Sequence, residues 1–281
     1  ALLMKAREDD RRLFSNPPKL NIIALQDSQP ERLDALSQDL VSTGIAQADL
    51  KELLDLFEHA STFGSLIQIP QTFAKKLADL ESKLNTALAS GDIFSQQSAQ
   101  ELLPLVQQAK LLAKQYDAVI ANPPYMGNKY LNPNLKTYLK KNYQGYEKDL
   151  FSAFMIRDLQ LTKESGQLGF MSPFVWMFIS SYENLRAHFI DQATITSLIQ
   201  LEYSGFDGAT VPICTFTLAK SHVSNFMGSY IRLSDFRGSE NQAPKTLEAI
   251  NNPDCGWFFN AKPDDFKKIP GSPVAYWLSS L

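Results

Sequence analysis

Apolar residues recur every three or four positions over much of the first 115 residues. Leu33, Leu36 and Leu40, then Leu50, Leu53, Leu54 and Phe57, and then Leu77, Leu80, Leu84 and Leu88 follow this spacing, which marks amphipathic helices. Gly91-Asp92 interrupts the pattern, and a further helix is predicted from about Ser98 to Lys114. Pro104 falls inside it and marks a first turn or a kink. The period changes at Tyr116. Asp117-Ala118-Val119-Ile120-Ala121 is a short apolar run that stops at Asn122-Pro123-Pro124. It reads as a buried strand that empties into a loop. A polar, lysine-bearing stretch covers Met126 to Lys148. Leu150, Phe151, Phe154, Met155, Leu159 and Leu161 then predict a helix, ended by Ser165-Gly166. Leu168-Gly169-Phe170-Met171 predicts a strand stopped by Ser172-Pro173. Tyr182 to Ile190 predicts a helix, and Ile195 to Leu201 and Ile213 to Ala219 two more strands. Upstream, Leu20 to Leu25 is a candidate strand, and Asn16-Pro17-Pro18-Lys19 a loop.

Alternating strands and helices after residue 115 imply an α/β fold with an open, mostly parallel sheet. In such sheets, ligands bind beyond the carboxyl ends of the strands. From about Ser221 the pattern loosens. Pro253, Pro263, Pro270 and Pro273 suggest an irregular region or the start of another domain.

With 281 residues, the chain can bury one large or two modest cores. No apolar run is long enough to span a bilayer, and the first residues do not form a secretory signal. They read as the end of a helix that begins elsewhere. A net charge of −3 argues against a surface given over wholly to nucleic acid, but allows a local basic face. Cys214 and Cys255 lack a partner motif, which fits a reducing cytoplasm. His59, His188 and His222 show no metal-ligand spacing, so no metal is expected.

The chemistry is concentrated at Asn122-Pro123-Pro124-Tyr125. A conjugated amino group is a poor nucleophile because its lone pair is delocalised. Two rigid acceptors that take both of its N–H bonds draw the nitrogen toward a tetrahedral geometry, and such preorganised dipoles give the main electrostatic gain. Asn122 offers a side-chain carbonyl, and Pro123 a backbone carbonyl. Consecutive prolines stiffen the loop by holding φ near −65°. Tyr125 supplies a flat ring on which an extruded base can stack. The other copy, Asn16-Pro17-Pro18-Lys19, lacks both the preceding strand and the aromatic residue.

The stretch Tyr116 to Tyr125 resembles the catalytic motif of amino-methyltransferases that act on adenine in DNA. The resemblance continues through Lys148-Asp149-Leu150-Phe151, Gly166 to Pro173, Asn184-Leu185-Arg186 and Thr210 to Lys220. The opening Ala1 to Arg7 resembles the helix after the second cofactor strand of large restriction-type enzymes. The closing Phe266 to Trp277 resembles the segment before the target-recognition region in the adenine methyltransferase of BREX phage-defence systems, whose relatives are single-chain restriction–modification enzymes. The resemblance implies the second half of a Rossmann-like methyltransferase sheet with a helical insertion. It also implies S-adenosylmethionine as cofactor, and double-stranded DNA and other defence-system subunits as partners. The implied division is 1–29 (end of the cofactor-binding half), 30–115 (helical insertion), 116–220 (catalytic half) and 221–281 (start of a target-recognition or connecting region). The family's glycine-rich cofactor loop and its acidic residue for the ribose have no counterpart here. They are expected upstream of Ala1, and the chain is expected to be a fragment.

Other residues join the candidate site. In similar enzymes an aromatic residue in the position of Phe206 packs on the flipped base. Pro173 and Phe174, just past a strand end, are placed to line the same pocket. Trp176 and Phe178 are read as core. Lys129, Lys136, Lys140, Lys141 and Lys148 lie within 20 residues, interleaved with tyrosines and a single acid, Glu147. This composition suits phosphate contacts and stacking. The alternatives are a protein glutamine methyltransferase, whose amide substrate poses the same chemical problem, and a non-catalytic specificity module that keeps the fold for binding DNA.

Overall fold

The computed structural model describes residues 21–203, 205 and 211–278. Its helical block contains α1 (Leu33–Asp39), α2 (Gln47–Phe57), α3 (Leu77–Leu88) and the long α4 (Ile93–Ala113), with single helical turns between them. The heptad-like leucines do what their spacing predicts. Leu36, Leu50, Leu53, Leu54, Phe57, Leu77, Leu80 and Leu84 are buried together with Leu102, Leu105 and Val106 of α4. Helix α4 starts earlier than the sequence pattern suggests, because Asp92 caps it by accepting from the backbone N–H groups of Phe94 and Ser95. Pro104 therefore sits in mid-helix, not in a first turn. It removes the bond to the carbonyl of Gln100, which is exposed to water.

The second unit is a sheet, with β1 (Tyr116–Ala121), α5 (Pro133–Asn142), α6 (Leu150–Leu161), β2 (Thr162–Pro173), α7 (Glu183–Gln192), β3 (Thr194–Gln200), β4 (Ile213–Ala219), β5 (Gly228–Arg232), α8 (Ser239–Asn251) and β6 (Phe258–Ala261). The strand order is β1-β2-β4-β3-β5-β6. The β1–β2 and β3–β5 pairs are parallel, and the other pairs are antiparallel. Strands β1, β2, β3 and β5 thus point the same way, while β4 and β6 run against them. Leu168, Phe170, Ile195, Leu198, Phe216 and Leu218 bury one large core with Phe151, Met155 and Leu159 of α6 and Phe189 of α7.

Four expectations change. Strand β1 is not buried: its residues are partly or fully exposed, because it pairs with β2 alone among the described residues. Residues 21–29 form no strand. Ile22 and Ile23 are exposed, and the backbone of Gln26 pairs with the side chain of Gln108 on α4, not with a neighbouring strand. Next, α6 ends at Leu161 and β2 begins at once, so Ser165-Gly166 lies within the strand. The register jumps there, from Tyr116↔Thr162 to Ala118↔Gln167. A Cβ on Gly166 would lie 2.9 Å from the carbonyl oxygen of Asp117, so the close approach requires glycine. Fourth, the chain after Ser221 adds two strands to the same sheet. No helix among the described residues is long and apolar enough to cross a membrane.

The two cores are joined by a few directional bonds. Arg157 on α6 is buried, and it donates through Nε to the Ser65 carbonyl and through Nη2 to the Leu112 carbonyl, each at 2.8 Å. The hydroxyls of Tyr138 and Tyr143 both donate to the Leu66 carbonyl, at 3.1 and 2.6 Å. Phe63 stacks on Tyr138 with ring centres 4.2 Å apart.

Candidate active site

Asn122 follows the last residue of β1. Ala121 pairs with Phe170, and β2 continues for three residues beyond that level to Pro173. Pro123 and Pro124 have no N–H to offer, so strand pairing cannot continue. Pro123 is buried, while Asn122 and Pro124 are exposed. Tyr125 is partly buried and packs against the main core. Its hydroxyl donates to Asn122 Oδ1 at 3.1 Å. Burial, and secondarily the nearby Cys214, hold this hydroxyl above the ordinary range of a tyrosine. The motif therefore brings an amide carbonyl and an aromatic ring to one spot at a strand's carboxyl end.

Tyr125 packs on the core that contains Cys214 and Trp176. Cys214 of β4 is fully buried, which pushes its thiol up to about 12. It lies opposite Ser172, whose hydroxyl accepts from Trp176 Nε1 at 3.1 Å. Trp176 is fully buried, as expected; Phe178 is only partly covered. Pro173 is buried at the end of β2, and Phe174 is partly buried beside it, its N–H donating to the Pro212 carbonyl at 3.1 Å. Strand β3 ends, and β4 begins, at this same rim of the sheet. Phe206, in the connection between them, lies outside the described residues.

The segment after Tyr125 is held by α6. The Met126 N–H donates to Asp149 Oδ1 at 3.1 Å, and the Leu150 N–H donates to the Met126 carbonyl at 3.0 Å. Gly127 and Asp149 form an antiparallel bridge. Asp149 also caps α6 by accepting from the Phe151 N–H at 3.3 Å. Burial raises its carboxyl above the usual range. Sequence reasoning gave Asp149 no role of its own, although an Asp directly before an apolar helical run is a cap signal.

Of the predicted lysines, Lys129, Lys140 and Lys141 are exposed and Lys136 is partly covered. None of the four forms an ion pair with a described residue. Lys129 lies over the exposed ring of Tyr130, 4.6 Å from its centre. Lys136, Lys140 and Lys141 are on α5, which Asn132 caps through the Leu135 N–H. Tyr138 and Tyr143, interleaved with them, are not free to stack on bases. They are spent on the seam with the helical block, and Tyr143 is buried.

Arg186 was missed as well. It is 1% exposed and donates to the carbonyls of Trp176, Ile179 and Gly271. It thereby ties the turn after β2 to the C-terminal strap, where the Val274 N–H donates to the Met177 carbonyl. No pattern in a single sequence marks such an arginine. The histidines have local roles: His59 lies beside Asn134 and Phe63, His188 against Tyr146, and His222 beside Asp264. The described residues contain no cluster able to hold a metal ion.

Residues 20–206 match the family model of the Eco57I restriction-modification methylase. The chain belongs to this family. It is 36% identical to the adenine-specific methyltransferase BrxX of Escherichia coli O9:H4 (strain HS), over 99% of this chain and 25% of that protein. It is 32% identical to the adenine-specific methyltransferase PglX of Lacticaseibacillus casei (strain Zhang), over 99% of this chain and 24% of that protein. The type II restriction enzyme and methyltransferase RM.Eco57I of Escherichia coli is 27% identical over 63% of this chain and 19% of that protein. This Eco57I-family chain thus spans about a quarter of the length of the first two relatives. The stretch matching the family model includes the Asn122–Tyr125 motif, Asp149 and the end of β2.

Proposed function

We propose that the full-length protein methylates the amino group of adenine in DNA, with S-adenosylmethionine as methyl donor, in restriction–modification or phage defence. The observation that carries this reading is the placement of Asn122 Oδ1 and the Tyr125 ring within one hydrogen bond of each other at the carboxyl end of β1. The names of the relatives, adenine-specific methyltransferases, support it.

The extruded adenine stacks on Tyr125, with Pro173, Phe174 and Phe206 as further walls. Its amino group donates one N–H to Asn122 Oδ1, displacing the Tyr125 hydroxyl, and the other to the Pro123 carbonyl. The two prolines stiffen the Pro123 carbonyl and the Tyr125 hydroxyl orients Asn122 Oδ1 until the base replaces it, so little reorganisation remains at the moment of reaction. The cofactor, when bound, supplies a sulfonium methyl group. Its binding residues are not assigned in this chain. The flank of β1 fits a further piece of sheet that would carry them: among the described residues β1 pairs with β2 alone, and Ile120 is 85% exposed. Lys129, Lys136, Lys140 and Lys141 contact phosphates of double-stranded DNA and set register without reading sequence.

The test is Asn122→Ala in the full-length protein, with transfer of a labelled methyl group into DNA as readout. Transfer should be abolished in a protein that still folds. Undiminished transfer would remove the mechanism, and transfer into a protein glutamine side chain in place of DNA would identify the glutamine methyltransferase alternative.

A further inference from the structure

The loop that carries the motif has two anchors. The first is β1, which delivers Asn122. The second lies just beyond Tyr125, where both backbone groups of Met126 are tied to the start of α6. The N–H of Met126 goes to the Asp149 side chain and its carbonyl to the Leu150 N–H. The Asn128 N–H donates to the Lys148 carbonyl at 3.1 Å, and Gly127 bridges Asp149. The 20-residue excursion bearing the lysines, 128–147, is thereby closed at its base. Ser152 reinforces the closure by donating to the carbonyls of Tyr146 and Asp149. Of all these bonds, only that from the Met126 N–H to Asp149 Oδ1 joins the motif loop to a side chain. That oxygen serves two backbone donors, one on the motif loop and one on the helix. A Cβ on Gly127 would lie 3.6 Å from Asp149 Oδ2, so the carboxylate runs alongside the Gly127 backbone.

We infer that Asp149 is a positioning residue for methyl transfer: its carboxylate oxygen clamps Met126 to the α6 terminus and thereby fixes the plane of the Tyr125 ring relative to Asn122 Oδ1. Two points separate this role from simple helix capping. A cap needs an acceptor within reach of the first-turn N–H groups, and a serine suffices for that. Reaching Met126 as well needs the longer side chain and a second lone pair on the same oxygen, which asparagine also offers. The charge is not what the clamp uses, whereas the length and the carbonyl are. Misplacing a reacting partner by a fraction of an ångström to an ångström slows a reaction without weakening binding in proportion. The signature of Asp149 is therefore a change in rate at constant affinity.

The inference rests on the proposed function for its rate readout, and on the fold alone for a second one. Asp149→Asn, Asp149→Ser and wild type are compared in the full-length protein. Single-turnover transfer of labelled methyl groups into DNA is measured alongside the dissociation constants for cofactor and DNA. Amide hydrogen exchange is followed in the peptide containing Met126. Asp149→Ser keeps the cap but loses the reach. It is expected to melt like wild type, bind cofactor and DNA within about twofold, transfer methyl about tenfold more slowly, and lose protection at Met126. Asp149→Asn is expected to stay within about threefold of the wild-type rate and to keep the protection. Wild-type rate and protection in Asp149→Ser would overturn the inference. So would an Asp149→Asn variant as slow as Asp149→Ser, or a loss of rate matched by an equal loss of cofactor and DNA affinity. If the wild-type protein transfers no methyl group to DNA, the proposed function fails. The exchange at Met126 then decides the clamp by itself: equal protection in all three proteins overturns it.

Discussion

Asp158 makes a prediction whose sign and size can be worked out. It follows Arg157 on α6 and is 4% exposed. Its Oδ2 has no hydrogen-bond partner among the described residues. Burial lifts its carboxyl to about 7, with Arg157 opposing the shift. In the unfolded chain the same group titrates near 3.8. Between those two values the native state holds a proton that the unfolded state has released, so native stability must fall as pH rises. The slope is about 1.4 kcal/mol per pH unit, and over roughly three units the loss reaches up to roughly 4 kcal/mol. Asp158→Asn cannot ionise and has no such slope. It should match wild type near pH 4 and become progressively more stable than wild type up to about pH 7, where the difference levels off. The assay is urea unfolding of both proteins at half-unit steps from pH 4 to pH 8, read as the difference between them. The difference matters because Asp27, Asp92, Asp117 and Asp264 are held below the usual carboxylate range and tilt both curves the opposite way at the acid end, near pH 4 and below. A difference independent of pH, or a wild type more stable than Asp158→Asn at pH 8, would refute the reasoning.

Further expectations concern the site and its supports. Asn122→Ala should lower methyl transfer by at least about 10²–10³-fold, the effect of removing one preorganised hydrogen-bonding partner, while the unfolding midpoint stays near wild type because Asn122 is exposed. Tyr125→Ala should weaken capture of the extruded base by about 1–3 kcal/mol and leave cofactor affinity unchanged. 2-Aminopurine fluorescence at the target position and cofactor titration separate the two effects, and equal losses would contradict the stacking role. Replacing Lys140 and Lys141 together by alanine should flatten the dependence of log K on log salt by about 1.8 if both neutralise phosphates, which titration at several salt concentrations checks. Arg186→Met should destabilise the chain in urea unfolding by about 2–5 kcal/mol, at about 1–3 kcal/mol for each buried carbonyl left without a donor. The Trp176 and Gly271 carbonyls lose the Arg186 donor, the Ile179 carbonyl is left with the Tyr182 N–H, and the strap around Gly271 comes away from the turn after β2.

Much of the frame was legible in the order of residues. The leucine spacing identified the helical block because a helix with one buried face must repeat near 3.6 residues. The apolar run before Asn122-Pro123 identified β1 and its carboxyl end, because proline cannot pair onward. The proposed reacting motif is contained in four consecutive letters, since its acceptor, its stiffness and its ring are all local properties. Tertiary structure alone decided what depends on residues distant in sequence. The parallel partnership of β1 and β2 sets which loops share a rim. The clamp of Asp149 on Met126 spans 23 positions, and the bonds of Arg157 to the helical block span 92 and 45. Tyr138 and Tyr143 were read as available for stacking, and proved to be fastened to Leu66 instead. Composition records which groups a segment carries, but a hydroxyl's partner is chosen by whatever carbonyl the folded chain brings within 3 Å of it.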